Sequence, residues 1–308
     1  MLTNNVLNLE VGDSFMGALT PSSEYLASLR RNAIRKKMKK RQKDEVADVQ
    51  EDLVTLGGRV YMTRVTFGSR VYSLVIDTGS SDTWAAASGL ICKDADGNTV
   101  TTSTCRFGVL FNTTASTSYK AYNPPQAFGV NYTSGEYLKG ILATELVGIG
   151  DVGAGFAPRQ IVNQTIGIVQ QGYWDGDGLS SGLMGLAYSR LASQSSSIGY
   201  EAIIFTLFDQ AYYPPVFSLA LNRTSSARGS ASRAPGGVLA IGGIPDVTYD
   251  STSWVETNIV AVSGGVYTYY SISIDGFSIT APTGSIVTPQ NYTASRQNII
   301  VDSEALGL

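Results

Sequence analysis

Past residue 53 the apolar residues fall in short runs separated by Gly, Pro, Ser and Asn, a spacing that suits strands and tight turns better than helices. Val60-Tyr61-Met62-Thr63-Arg64-Val65-Thr66-Phe67 and Val71-Tyr72-Ser73-Leu74-Val75-Ile76 flank Gly68-Ser69-Arg70 and predict a hairpin. Residues 128–132 and 138–143 bracket a turn that contains Gly135 and predict a second one, placed to move over a cleft. Residues 85–119 read as a long loop, 201–210 as a helix stopped by Pro214-Pro215, and 222–234 as a Ser- and Arg-rich linker. Residues 266–274, rich in Tyr, Ile and Ser, read as a strand. The pattern predicts an all-β protein.

The first hairpin ends in a chemically unusual way. Leu74-Val75-Ile76 stops on Asp77-Thr78-Gly79-Ser80-Ser81, so a buried strand runs into a tight loop through a carboxylate. An acid at such a position is half buried, where its pKa is open to perturbation. A turn-capping role for Asp77 alone would explain it equally well. The pattern recurs, however, at Asn298-Ile299-Ile300-Val301-Asp302-Ser303. Two strand-ending carboxylates from distant parts of one chain can share a proton, because like charges about 3 Å apart cannot both ionise.

Composition narrows the chemistry further. The 308 residues are 43% apolar and contain 33 glycines, enough for a large core and two domains. There is no histidine, which excludes Ser-His-Asp and Cys-His nucleophilic enzymes and the zinc hydrolases that bind metal through His. Carboxylates are left as the main acid–base groups. The two cysteines, Cys92 and Cys105, lack zinc-ligand spacing.

Charge is unevenly placed. Residues 1–41 hold 8 of the 22 Lys and Arg but 3 of the 25 Asp and Glu, which leaves 14 against 22 and a net charge of −8 for residues 42–308. The basic run from Arg30 to Arg41 is open to three readings: a solvated helix or tail, a nucleic-acid or nuclear-localisation patch, and an inhibitory segment for an acidic body. The acidic body argues against nucleic acid as a partner. No run is long enough to span a bilayer, and the N-terminus lacks the apolar core of a signal peptide.

Val75-Ile76-Asp77-Thr78-Gly79-Ser80-Ser81, with Trp84 seven residues after Asp77, resembles the first active-site motif of the pepsin-like aspartic proteases, of fungal type. Tyr132-Thr133-Ser134-Gly135 with Gly140 resembles the flap, Ser181-Gly182-Leu183-Met184-Gly185-Leu186-Ala187-Tyr188 the strand threading the first active-site loop, and Gly236-Gly237-Val238-Leu239-Ala240-Ile241-Gly242-Gly243 the start of the second lobe. The resemblance covers residues 55–303 in family order. It implies a bilobal pepsin-like acid protease fold, with a basic pro-segment at 1–41, an N-terminal lobe at 42–225 and the first part of a C-terminal lobe at 226–308. It implies an aspartic endopeptidase working at acidic pH on peptide or protein substrates, without cofactor or metal, as a monomer inhibited by its own pro-segment. Asp77 and Asp302 would be the catalytic pair, with Thr78, Gly79, Ser80 and Ser303 supporting the two loops. Tyr132 and Gly135 would belong to the flap, and Tyr132 would hydrogen-bond Trp84. Proteases of this family commonly bridge a loop after the first motif, which implies a Cys92–Cys105 disulfide.

Asn112, Asn163, Asn222 and Asn291 carry glycosylation sequons. With the disulfide they point to the secretory pathway, as a secreted or vacuolar glycoprotein. A fifth sequon, at Asn131, lies beside Tyr132 and is expected to stay unused, since a glycan there would obstruct the cleft. Two departures stand against the resemblance. Asp302-Ser303 is followed by Glu304-Ala305 where the family has Gly and then Ser or Thr. The sequence also stops about where the family's second lobe would be half built, so the C-terminal lobe is expected to be incomplete. A non-catalytic, truncated pseudoprotease or peptide-binding fragment is the alternative.

Overall fold

A computed structural model describes residues 7–10, 49–56, 60–150, 161–193, 198–210, 213–222, 233–262, 264–274, 279–280, 286–287 and 297–303. The strands are β1 (Leu7–Glu10), β2 (Val49–Leu56), β3 (Val60–Phe67), β4 (Arg70–Asp77), β5 (Thr83–Lys93), β6 (Lys120–Ala121), β7 (Ala127–Asn131), β8 (Tyr137–Ile149), β9 (Ile161–Tyr173) and β10 (Gly182–Gly185). The helix α1 (Ile203–Gln210) separates these from β11 (Val216–Leu221), β12 (Arg233–Ile241), β13 (Ser271–Ile274), β14 (Ile279–Thr280), β15 (Ile286–Val287) and β16 (Gln297–Ile300). The fold is all-β, as the apolar pattern predicts.

A 12-stranded sheet carries most of the strands, in the order β1-β11-β12-β2-β3-β4-β10-β5-β9-β8-β6, with β7 paired to β8. Because β3 also pairs with β8 through Val65↔Ile149 to Phe67↔Val147, the strands from β3 to β8 close into a ring. Closure removes exposed edges and lets both faces of β4 be covered. Leu74 and Ile76 enter a core with Val65, Phe67, Ile166 and Leu239. Val75 enters a second core with Met62, Trp84, Leu138, Val169 and Leu183. A strand buried on both faces must be apolar at every position, which is why 74–76 read as an unbroken run. Burying each such side chain stabilises the fold by about 1.5–3 kcal/mol.

Three segments depart from the sequence reading. Residues 83–93, assigned in part to a loop, form β5, which pairs in parallel with β9 and antiparallel with β10. Thr83-Trp84-Ala85-Ala86-Ala87-Ser88-Gly89 has weak β preference, and the strand is held by burial, with Trp84, Ala85 and Ala86 fully covered. Of residues 266–274 only Ser271–Ile274 is strand. Tyr267 and Tyr270 leave the ladder and pack their rings on Tyr188, while the Thr268 carbonyl accepts from the Tyr188 N–H. The proposed linker ends early: Arg233 and Ala234 already pair with Leu56 and Thr55 in β12, while 223–232 lie outside the described residues.

Cys92 and Cys105 form a disulfide with Cα atoms 5.9 Å apart, joining the end of β5 to a short 3₁₀ turn. The bond closes a short loop, and the chain-entropy argument assigns it about 3 kcal/mol. Replacing both cysteines with serine is therefore expected to lower the unfolding free energy by about that amount, measured by denaturant titration.

The basic run at 30–41 and the sequon at Asn291 lie outside the described residues. Asn163 and Asn222 are exposed and Asn112 is half-buried, its Oδ1 accepting from the Thr114 N–H and hydroxyl at 3.0 and 2.8 Å. Among the described residues no helix is long and apolar enough to cross a membrane.

Candidate active site

The Asp77 loop is shaped by a strand that passes through it. β10 runs parallel to β4, with Gly185 beside Asp77. Beyond it the chain supplies N–H groups to three carbonyls of the loop: Gly185 to Asp82 (3.0 Å), Leu186 to Asp77 (2.7 Å) and Ala187 to Ser80 (2.8 Å). The Ser81 hydroxyl donates to the Tyr188 carbonyl at 2.6 Å. Small residues are needed here, since a Cβ on Gly185 would stand 2.6–2.7 Å from the backbone of Ser80 and Ser81.

Thr78 and Ser303, from loops 225 residues apart, bind each other reciprocally. The Thr78 N–H donates to Ser303 Oγ at 3.1 Å, and the Ser303 N–H donates to Thr78 Oγ1 at 2.8 Å. Each hydroxyl then donates across the junction, Thr78 to the Val301 carbonyl at 2.9 Å and Ser303 to the Ile76 carbonyl at 3.0 Å. Both hydroxyls act as donor and acceptor at once, which Ala could not reproduce. The second loop is also held from behind: the Val301 N–H donates to the Tyr270 carbonyl, and the Tyr270 hydroxyl donates to the Leu186 carbonyl at 2.6 Å.

This junction brings Asp77 and Asp302 together. A Cβ on Gly79 would lie 2.6 Å from Asp302 Oδ2, so a larger residue there would push the second carboxylate aside. Asp77 is buried, with the Gly79 N–H on Oδ1 at 2.7 Å and the Ser80 hydroxyl on Oδ2 at 2.5 Å. Burial pushes its pKa up to about 6; the Ser80 and Gly79 hydrogen bonds oppose the rise, and the charge and hydrogen bond of Asp302 reinforce it. Asp302 itself is exposed.

The second hairpin lies against the same site. Trp84 is fully buried and its Nε1–H donates to the Tyr132 hydroxyl at 2.8 Å. Gly135 turns the hairpin with φ +94° and its N–H donates to the Tyr132 carbonyl. Trp174 packs edge-on to both Trp84 and Tyr132, with ring centroids 5.2 and 5.5 Å away.

Several supporting groups escaped the sequence reading. Asp82, five residues after Asp77, is 5% exposed; its two carboxylate oxygens accept from the Ser193 N–H at 3.1 Å, and Oδ1 accepts from the Tyr200 hydroxyl. Burial raises its pKa to about 6 against the pull of Ser193. Glu136 and Glu145 are likewise buried carboxylates, bonded to Asp175 N–H and Ser134 and to Ser116, Ser118 and Leu146 N–H respectively. Asp82 had a signal, since it directly follows the motif; the two glutamates look like ordinary surface acids. Among the described residues no cluster of three or more His, Cys, Asp or Glu could hold a metal ion.

A β-ring threaded by its own strand, with two Asp-hydroxyl loops locked together, defines the acid-protease class of fold and site. The chain belongs to the eukaryotic aspartyl proteases, whose family model matches residues 60–305. It is 35% identical over 237 residues to a probable aspartic-type endopeptidase of Aspergillus fumigatus, covering 71% of this chain and 48% of that protein. It is 25% identical over 243 residues to secreted aspartic protease 8 of Candida albicans (78% and 53%) and 26% over 230 residues to mucorpepsin of Rhizomucor miehei (72% and 47%). The chain spans about half the length of these relatives.

Proposed function

We propose that the protein is an aspartic endopeptidase in which Asp77 and Asp302 hydrolyse peptide bonds through a shared proton. The observation that supports this reading is the reciprocal Thr78–Ser303 junction, which ties the loop bearing Asp77 to the loop bearing Asp302. One carboxylate takes a proton from the attacking water while the other gives its proton to the carbonyl oxygen. The carbon–nitrogen bond then breaks as the leaving nitrogen is protonated, and the pair returns to its singly protonated form. Ser80 and the Gly79 N–H orient the Asp77 carboxyl, and the Tyr132 hairpin covers an extended peptide. No covalent intermediate or metal is required.

Because the Asp77 pKa lies at about 6, the pair keeps its shared proton below that pH and loses it above, so activity is expected at acidic pH. Residues 1–41 serve as a basic inhibitory pro-segment, Lys40-Arg41 as its cleavage site, and 42–225 and 226–308 as parts of two lobes. The disulfide and the relatives named as secreted support export through the secretory pathway; the protein acts as a monomer. The test is hydrolysis of a denatured protein by the 308-residue chain at pH 4 and pH 7, with Asp77→Ala and a transition-state-mimicking inhibitor as controls. Acid-dependent cleavage abolished by both is the expected result. Failure to cleave favours the non-catalytic alternative, which the Glu304-Ala305 departure from the family pattern motivates.

A further inference from the structure

The root of the Tyr132 hairpin is tied down by a side chain where the backbone ladder ends. Tyr137 is the last residue of β8 in register with both neighbours, opposite Asn131 on β7 and Tyr173 on β9. One residue further out, Glu136 is 7% exposed and its Oε1 accepts from the Asp175 N–H at 2.8 Å, adding a side-chain rung to the β8–β9 ladder. Its Oε2 accepts from the Ser134 hydroxyl at 2.8 Å, and its carbonyl accepts from the Tyr132 N–H at 2.9 Å. Residues 133–135, beyond this point, are exposed.

The far end of the rung is equally fixed. Asp175 follows Trp174, whose ring touches Trp84 and Tyr132 and stacks on Phe107 at 6.0 Å. The Asp175 carboxylate pairs with Arg106 at 3.5 Å, and the N–H groups of Gly176 and Gly178 donate to the Cys105 and Arg106 carbonyls. Glu136 thus joins the hairpin to a segment anchored on the disulfide loop.

We propose that Glu136 is a positioning residue: through the Asp175 N–H it couples the Tyr132 hairpin to Trp174, so that the cover of the cleft and the aromatic group behind it are held as one unit when a peptide binds. The role in peptide binding rests on the protease reading; the coupling itself does not. Without the rung, the hairpin pivots further back, on β8 itself, and bound peptide loses contacts that it makes equally in ground and transition states. That predicts a rise in KM with little change in kcat.

The experiment combines amide hydrogen exchange with steady-state kinetics on wild type, Glu136→Ala and Glu136→Gln. In wild type the Asp175 amide should be protected; exchange at the rate of an open loop overturns the proposal without any variant. In E136A, exchange in 129–138 and 174–176 should accelerate about tenfold or more while β4 is unchanged, and KM should rise about tenfold with kcat within about twofold, the size of one buried hydrogen bond to a charged group. E136Q, whose amide oxygen still accepts from Asp175, should restore both. A merely structural defect would lower the active fraction, and so apparent kcat, and would leave KM alone. Unchanged exchange in E136A, unchanged KM in an active E136A, or an E136Q as defective as E136A overturns the proposal. Absence of hydrolysis by the wild-type chain removes the protease reading instead, and the exchange data then decide the coupling.

Discussion

Asp77→Asn is expected to lower kcat by about two to four orders of magnitude while leaving the fold intact. Asparagine has nearly the shape of aspartate but cannot take a proton from water at any working pH. Its neighbours tolerate the change. Oδ1 keeps the Gly79 N–H, and the Ser80 hydroxyl, which donates to Oδ2 at 2.5 Å in the wild type, can turn to accept from the new amide N–H. The substitution also removes a carboxyl that burial holds at about pKa 6, so above that pH the variant should be at least as stable as wild type. Single-turnover hydrolysis and thermal unfolding of the same preparation check both halves. More than a tenth of wild-type activity in a folded variant would sink the paired-carboxylate mechanism.

Acidification from pH 7 to pH 4 is expected to stabilise the fold, by roughly 2–2.5 kcal/mol for each strongly raised carboxyl, at about 1.4 kcal/mol per pKa unit. Asp77 and Asp82 both have folded pKa values raised from 3.8 to about 6. The folded state then binds more protons than the unfolded chain between those values. Their favourable contribution is complete below about 3.8, shrinks as pH rises between the two values and is gone above about 6. The order is the reverse of a salt-bridged carboxylate, and it suits a protein that works in acid. Urea unfolding at pH 4, 5, 6 and 7 measures the slope. Asp82→Asn should flatten it by about half, at a cost of about 1–3 kcal/mol, because the amide NH2 that replaces one carboxylate oxygen cannot accept from the Ser193 N–H. A stability that climbs from pH 4 to pH 7 would contradict the burial of both groups.

What could be read from the residue order alone was whatever depended on neighbours in sequence. The β3–β4 hairpin and the loop after Asp77 were visible because an apolar run stops on turn residues, and α1 because Pro214-Pro215 stops it. The Trp84–Tyr132 bond and the Cys92–Cys105 bridge were accessible only through family resemblance, since nothing local links residues 48 or 13 positions apart. β5 was partly hidden because Ala85-Ala86-Ala87 is strand only by virtue of lying between β9 and β10. Tyr270 looked like one more strand residue, yet its hydroxyl caps the Leu186 carbonyl and its backbone holds Val301. The buried acids Glu136 and Glu145 were obscured for a similar reason: an acidic residue in a sequence gives no sign that two or three N–H or O–H groups will converge on it.

The place of β2 in the sheet bears on the proposed cleavage after Lys40-Arg41. Val49–Leu56 is hydrogen-bonded to β12 on one side and to β3 on the other, so it stitches strands from after residue 232 to strands from before residue 150. A cut after Lys40-Arg41 spares every rung of that seam, whereas trimming into Val49–Leu56 would unzip the later strands from the ring that holds Asp77. The same cut carries off β1, whose partner is β11 through Leu7↔Leu219 to Glu10↔Val216. Release of the proposed pro-segment at that site would therefore bare one side of Val216–Leu221, an edge that the uncut chain keeps covered.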